Sequence, residues 1–363
     1  MIHGMMRLIW KSKMKIIYDD IIYSLQKSGG GSVYWTEVTK RQDEKAIHNV
    51  YNNANENFFY DESNFKIINK WSSKFLTIKR YLNLTFSEKL PFVFHSSLYR
   101  FCKNKNAINI TTVHDFTYEY YRKDFKSNLH KIQKKNAVMH SDGVICISEN
   151  TKKDLLKFYP EYKGRIKVIH NGYSTQKYFY DRDIKKTKNV LFVGARTDYK
   201  RFDFAIDIIS QLQDCKLIIV GGGQLSKTEK SLLESKIPNQ YEKAGYLSDE
   251  DLRKLYNSAF FLLYPSEYEG FGIPVIEAQA CGCPVVCQAK SSIPEVAEDS
   301  VIYIDSSDLN NSINEIKRLL DSDFYNKKVE VGLQNVKRFS WDKCADEVRQ
   351  FYEEVFNQCN EDL

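Results

Sequence analysis

The chain has 363 residues, a formal net charge of +6, and 42% hydrophobic and 14% aromatic residues, so at roughly 100–200 residues per domain it should hold two domains. That apolar content excludes disorder as the main state, seven prolines exclude a proline-rich or collagen-like chain, and no apolar run approaches the ~20 residues of a membrane span. The total charge hides an asymmetry: residues 1–180 hold 30 Lys+Arg against 16 Asp+Glu, whereas residues 181–363 hold 23 against 31.

An extended anionic partner would therefore meet the first half of the chain. No contiguous Lys/Arg tract and no RNA- or DNA-binding signature is present, so no nucleic-acid partner is expected. The eight cysteines are scattered and read as reduced thiols of a cytosolic protein. Cys281, Cys283 and Cys287 cluster, but without a Cys-x-x-Cys or His partner they read as small buried residues rather than a zinc site.

Residues 1–13 read as an extension ahead of the first strand, with a short interfacial anchor as the alternative. Strands are predicted at Lys15–Tyr18, Phe92–His95, Ile108–Val113 and Gly143–Ile147. A second series follows at Val190–Val193, Lys216–Val220, Phe260–Tyr264, Pro284–Cys287 and Val301–Ile304. Helical patterns lie between them, among them Lys152–Tyr159 behind a Ser148 cap, Phe202–Leu212 and Asp249–Asn257. Alternating strands and helices, with strands that are continuously apolar, argue parallel sheets covered on both faces. The fold expected is α/β, two doubly wound Rossmann-like domains facing across a cleft. The join is placed by the turn signal Asn171-Gly172 and the polar segment after it: an amino-terminal domain at 14–175, a carboxyl-terminal domain at 176–340, and a closing helix within 341–363 that packs back toward the amino-terminal domain.

Ligands of open α/β sheets sit beyond the carboxyl ends of the strands. There the chain places Glu269-Gly270-Phe271-Gly272-Ile273-Pro274-Val275-Ile276-Glu277, after the predicted strand Phe260–Tyr264. The glycines allow close backbone approach, Pro274 suits a first helical turn, and the two glutamates can accept from sugar or ribose hydroxyls. This spacing puts Glu277 in the first turn of the helix; the competing explanation is that Glu269 is a solvated loop residue and Glu277 a helix-dipole partner. Phosphate oxygens would meet the amides of Gly270, Phe271 and Gly272 at the helix N-terminus.

This segment resembles the signature of glycosyltransferase family 4, retaining enzymes of the GT-B fold, and further segments resemble the family in the expected order from about Tyr18 to Trp341. Gln26–Ser32, with Gly30 and Gly31, matches the glycine-rich loop after the first strand. His114, in Val113-His114-Asp115, matches the family's active-site histidine, and His95 ends a neighbouring strand. Gly194-Ala195-Arg196 with Lys200 and Arg201 resembles the glycine–arginine–lysine diphosphate site. Ala195 stands where Arg is frequent, leaving open whether Arg196 or Arg201 reaches the diphosphate. Gly221–Gly223 end a strand in a glycine turn that could approach the nucleotide, without the spacing of a dinucleotide fingerprint, so NAD is not expected; Gly245–Asp249 and Ser291–Glu295 resemble family segments that support the nucleotide pocket.

The resemblance implies a retaining, metal-independent transfer of a sugar from a nucleoside-diphosphate donor to a glycan or lipid-linked acceptor, in surface-polysaccharide assembly such as O-antigen or capsule. Glu269 would hold the donor sugar, Glu277 the ribose, Lys200 with Arg196 or Arg201 the diphosphate, and His114 the acceptor side; no cofactor beyond the donor is implied. An epimerase of the same fold and a non-catalytic nucleotide-sugar-binding partner are the alternatives. Asp181-Arg182-Asp183 lacks the preceding apolar strand of a metal-binding Asp-x-Asp and reads as solvated surface. Tyr120–Lys135 carries Tyr121, Phe125, Leu129 and Ile132 at helical spacing among lysines and arginines. Either this stripe faces the core, or the helix lies on an anionic membrane. The charge of the first half favours the membrane, which makes the expected location the cytoplasm, peripheral to the inner face of the plasma membrane.

Overall fold

In the computed structural model, residues 14–361 are described; the predicted extension at 1–13 lies outside them. Seven parallel strands form the first sheet: β1 Lys15–Asp19, β2 Ile47–Tyr51, β3 Ile67–Trp71, β4 Phe92–Ser96, β5 Ala107–Val113, β6 Gly143–Cys146 and β7 Arg165–Val168. Their order is β3-β2-β1-β4-β5-β6-β7, with Ile17 beside Ile47 on one flank and beside Phe94 on the other. Six more form the second sheet: β8 Asn189–Val193, β9 Lys216–Val220, β10 Tyr241–Gly245, β11 Phe261–Tyr264, β12 Val285–Gln288 and β13 Ile302–Ile304, in the order β10-β9-β8-β11-β12-β13.

The central strands of both sheets are buried almost throughout, as strands covered on both faces must be. In the second sheet Phe192, Ile219, Leu263 and Val286 join Phe204 and Ile208 of the helix Phe202–Ser210 in one core. Four strands escaped the sequence prediction, namely β2, β3, β7 and β10. Three of them are sheet edges, where charged and polar residues break the apolar run that marks a buried strand.

The chain divides into two units between Asn171 and Gly172, and the segment from Trp341 belongs with the first. The helix Trp341–Glu361 buries Val348, Phe351, Tyr352 and Val355. Gln42 Nε2 donates to the Ala345 carbonyl at 2.9 Å, and Arg349 donates to the Arg41 carbonyl at 2.5 Å.

The predicted basic helix is two helices, Thr117–Tyr121 and Phe125–Met139. Asp124 caps the second by accepting from the Ser127 amide at 3.1 Å. Its apolar stripe does not face the core: Phe125 is 82% and Ile132 58% exposed, while Ser127, Gln133, Lys134, Ala137 and Val138 are buried. Lys134 is thus no part of a solvated basic face. Its ammonium donates to the Asp115 carbonyl and to Glu119, each at 2.8 Å, and lies 4.5 Å from the Phe116 ring centroid. Among the described residues no helix is long and apolar enough to cross a membrane.

Candidate functional site

In each sheet the strand order reverses at one point, between β1 and β4 in the first unit and between β8 and β11 in the second, and the crevice beyond the strand ends there is the natural ligand position. In the second unit β8 delivers Gly194 and β11 delivers Tyr264 to this crevice.

The predicted Lys200 and Glu269 meet there. The Lys200 ammonium donates to Glu269, lies 3.4 Å from the Tyr264 hydroxyl and 5.2 Å from its ring centroid. Both side chains are mostly buried, at 14% and 12% exposed. The loop carrying Glu269 is held by serines. Ser291 donates to the Glu269 carbonyl at 2.5 Å, and Ser292 donates to the carbonyls of Glu269 and Phe271 at 3.0 and 2.9 Å. The helix Ile273–Ala280 then begins behind Gly272, whose φ of +107° and whose missing Cβ, 2.8 Å from Ile293 Cδ1 if present, both require glycine.

Two expectations for this loop change. Glu277 lies in the second turn of its helix, because the helix starts at Ile273. Phe271 is 3% exposed and packs edge-on against Phe339 at 5.5 Å, so its side chain serves the core and a ligand could use only its backbone. Glu277 is half-buried; desolvation first, and the nearby Asp249 charge second, push its carboxyl up to about 8. Asp249 itself pairs with Lys177 at 2.7 Å and accepts from the Tyr178 hydroxyl at 3.1 Å.

The two arginines left open by the sequence have different surroundings. Arg196 is folded under the glycine turn: Nε donates to Glu229 at 2.7 Å, Nη1 to the Gly221 carbonyl at 3.0 Å, and Nη2 to the carbonyls of Gly222, Gly223 and Gln224 at 3.1, 3.3 and 3.0 Å. Glu229 in turn closes a capping box with Ser226. With its side chain 3% exposed and its donors spent on the loop, Arg196 braces the turn rather than standing over a diphosphate. Arg201 sits in the left-handed region at φ 50° ahead of the helix Phe202–Ser210, and its guanidinium bonds Glu267 at 2.9 Å, Ser306 at 2.8 Å and Asp203 at 3.2 Å.

In the first unit Gly30 and Gly31 are the opening residues of the helix Gly30–Thr39, so their amides belong to the helix N-terminus that an anion can meet. His114 follows β5, is half-buried, and stands edge-on to the Tyr34 ring at 4.9 Å. Burial lowers its pKa to about 4, so it is neutral at pH 7. His95 is not a site residue. Its Nδ1 meets the Tyr352 hydroxyl at 2.6 Å and its Nε2 the Thr112 hydroxyl at 3.0 Å, both in the core.

Sequence reasoning missed Tyr264, Glu267 and the buried Asp19–Asp20 pair at the end of β1. Asp20 accepts from Trp35 Nε1 at 2.5 Å and meets His48 at 2.9 Å. Two consecutive aspartates ending an apolar strand were the available signal.

Two family models together match residues 29–333 of the chain. Residues 29–177 match "Glycosyltransferase Family 4", and residues 174–333 match "Glycosyl transferases group 1". An uncharacterized glycosyltransferase of Methanocaldococcus jannaschii is 30% identical over 224 residues, 61% of this chain and 62% of that protein. The O-antigen chain mannosyltransferase B of Escherichia coli is 40% identical over 109 residues, 30% of this chain and 29% of that protein. The chain thus spans less than two thirds of the length of these relatives. Among solved structures, sucrose-phosphate synthase from Thermosynechococcus elongatus superposes with a TM-score of 0.74 at 17% identity, over 95% of this chain and all of that one. Anabaena HepE, solved with UDP and glucose, superposes with a TM-score of 0.70 at 15% identity, over 94% of this chain and all of that one.

Proposed function

The chain belongs to glycosyltransferase family 4 and has the GT-B fold, and from that premise we propose that it transfers a sugar, with retention and without a metal, from a nucleoside-diphosphate donor to a glycan or lipid-linked acceptor in surface-polysaccharide assembly. The observation that carries this reading is the Lys200–Glu269 pair at the strand-order reversal of the second unit, backed by Tyr264. A diphosphate leaving group gathers negative charge as the sugar–phosphate bond breaks, and a desolvated ammonium stabilises that charge far better than one in water. Glu269, released from Lys200 by the diphosphate, accepts from hydroxyls of the donor sugar. Glu277 serves the ribose.

In a same-face displacement the acceptor oxygen bonds the anomeric carbon as the phosphate oxygen leaves, and the acceptor proton passes to that phosphate oxygen. No protein base is required. His114, neutral at pH 7, contributes a hydrogen bond rather than a charge. The similarity to the O-antigen chain mannosyltransferase B supports the pathway class, and the UDP bound to HepE supports a nucleoside-diphosphate donor.

The outward-facing Phe125 and Ile132, flanked by Lys123 and Lys126, support a peripheral position on an anionic membrane. The decisive test is transfer of labelled sugar to a membrane-extracted acceptor. Lys200→Ala and Glu269→Ala are each expected to lower kcat by about 10²–10³-fold, the loss seen when one preorganised charge-stabilising group is removed. Undiminished transfer in both variants, or an acceptor-independent change in the sugar, would overturn the proposal.

A further inference from the structure

The amino-terminal unit holds a pocket of about 520 Å³ lined by Tyr51, Lys70, Trp71, Lys79, Leu82 and Arg100, among others, and no carboxylate is part of its wall. Tyr51 and Trp71 are the last residues of β2 and β3, and Arg100 follows β4. The pocket therefore opens at the carboxyl edge of the sheet, where open α/β folds bind ligands.

Arg100 is the unusual element. Its side chain is 1% exposed, Nη1 donates to the Tyr51 hydroxyl at 3.1 Å and lies 3.4 Å from Asp19, and Nε has no partner. A buried guanidinium with an unspent donor is costly unless something else completes it. Lys79 and Lys70 add two further cations, the first donating to the Ser72 carbonyl at 2.8 Å and the second 2.9 Å from Glu62.

Beside this cationic wall lies apolar surface. Leu82 is 55% exposed, and Ile78 and Phe75, on and just before the helix Leu76–Lys79, are 60% and 75% exposed. Phe75 is held at φ 58°, a conformation that a bulky residue adopts only under constraint. This segment packs against the helix Phe125–Met139, whose buried Gln133 donates from Nε2 to the Arg80 carbonyl at 2.5 Å.

We propose that this pocket receives the phosphate or diphosphate of a lipid-linked acceptor, with the hydrocarbon lying along Leu82, Ile78 and Phe75. The proposal rests on the glycosyl-transfer reading and names its acceptor class. Lys79, with Lys70 and Arg100 beside their partners Glu62 and Asp19 outside the lining, offers a phosphate charge-assisted hydrogen bonds, and Arg100 Nε is an unspent donor among them. The adjoining apolar strip suits a chain attached to it.

The test is calorimetric titration of the full chain in a Lys200→Ala background, which removes the donor-side cation, using inorganic pyrophosphate, geranyl diphosphate and geraniol as probes. Geranyl diphosphate should bind at least tenfold tighter than pyrophosphate, and geraniol should not bind measurably. Adding Lys70→Glu with Lys79→Glu should weaken both phosphorylated probes by about tenfold or more, the loss of one or more charge-assisted bonds. These lysines lie at the surface, so the variant tests the site even where Arg100→Gln fails to fold. Equal affinity for pyrophosphate and geranyl diphosphate would overturn the lipid-linked assignment, and indifference of both probes to the double variant would overturn the site. Intact transfer by Lys200→Ala would instead overturn the donor-site reading and leave these titrations to stand by themselves.

Discussion

Both units pair buried cations with carboxylates, Lys134 with Glu119 in the first and Arg196 with Glu229 in the second, but they differ around the proposed sites. Around its crevice the carboxyl-terminal unit pairs its cations at short range: Lys200 with Glu269, Arg201 with Glu267 and Asp203, Arg196 with Glu229. The amino-terminal unit keeps histidines neutral in its interior and leaves Arg100 with an unpartnered nitrogen. A paired crevice can exchange an internal carboxylate for an incoming diphosphate, because the cation stays compensated before and after. Arg100, already beside Asp19, instead keeps one donor for a further acceptor. The two proposed sites thus differ in what binding displaces: a carboxylate at Lys200, and nothing at the Arg100 Nε, which is in reserve beside Asp19.

The sharpest way to break this comparison after the loss of Lys200 or Glu269 is at Arg196. If it serves the turn, Arg196→Met should destabilise the protein by about 3–5 kcal/mol, the usual cost of orphaning the partners of a buried ion pair. Urea unfolding measures it. A variant as stable as the parent but unable to bind nucleoside diphosphate would restore Arg196 to the donor site.

The next effect is a pair of opposite pH dependences. Glu277 is raised to about 8 from an ordinary value near 4.5, so between these values the folded state holds a proton that the unfolded chain has lost. Its contribution to stability is full below about 4.5 and disappears as pH rises to about 8. His114 is lowered to about 4 from 6.5, so its contribution is present above 6.5 and is lost as pH falls toward 4. Glu277→Gln should flatten the alkaline side of a stability-versus-pH curve by up to a few kcal/mol, and His114→Gln the acid side by less, because its own Asp115 opposes the shift. Urea midpoints across pH 4–9 read both slopes, and unchanged slopes in both variants would remove the contrast between the units.

Legibility in the sequence followed the same division. The residues proposed for the donor fall in two short segments, residues 194–201 and 269–277, each following a buried strand, so local motifs and the family resemblance pick them out. What the spacing did not reveal is which side chains spend themselves on the scaffold. Arg196 turns under Gly221–Gln224, and Phe271 turns into the core against Phe339, contacts that link positions 25–68 residues apart. In the amino-terminal unit almost nothing is local. Arg100 meets Tyr51 and Asp19, and His95 meets Tyr352, and no periodicity marks such partners in advance. The edge strands β3, β7 and β10 were hidden for a related reason, since their polar residues answer to solvent rather than to a buried face.

The smallest expected effect concerns the surface where the amino-terminal unit would meet lipid. The helix Phe125–Met139 buries Lys134 yet exposes Phe125 and Ile132, the reverse of what packing against a core alone would select. Phe125 and Ile132 would supply the apolar contact, while Lys123 and Lys126, both exposed, would supply attraction to anionic headgroups worth about 1 kcal/mol each near the surface. Lys123→Gln and Lys126→Gln should each weaken co-sedimentation with phosphatidylglycerol-containing vesicles about fivefold, and neither should change binding to neutral vesicles. Phe125→Ser should weaken binding to both kinds of vesicle, because the apolar contribution does not depend on headgroup charge. Binding that ignores headgroup charge in the parent protein would exclude the electrostatic half of the interaction, and the basic excess of the first 180 residues would then belong to the acceptor pocket rather than to the membrane.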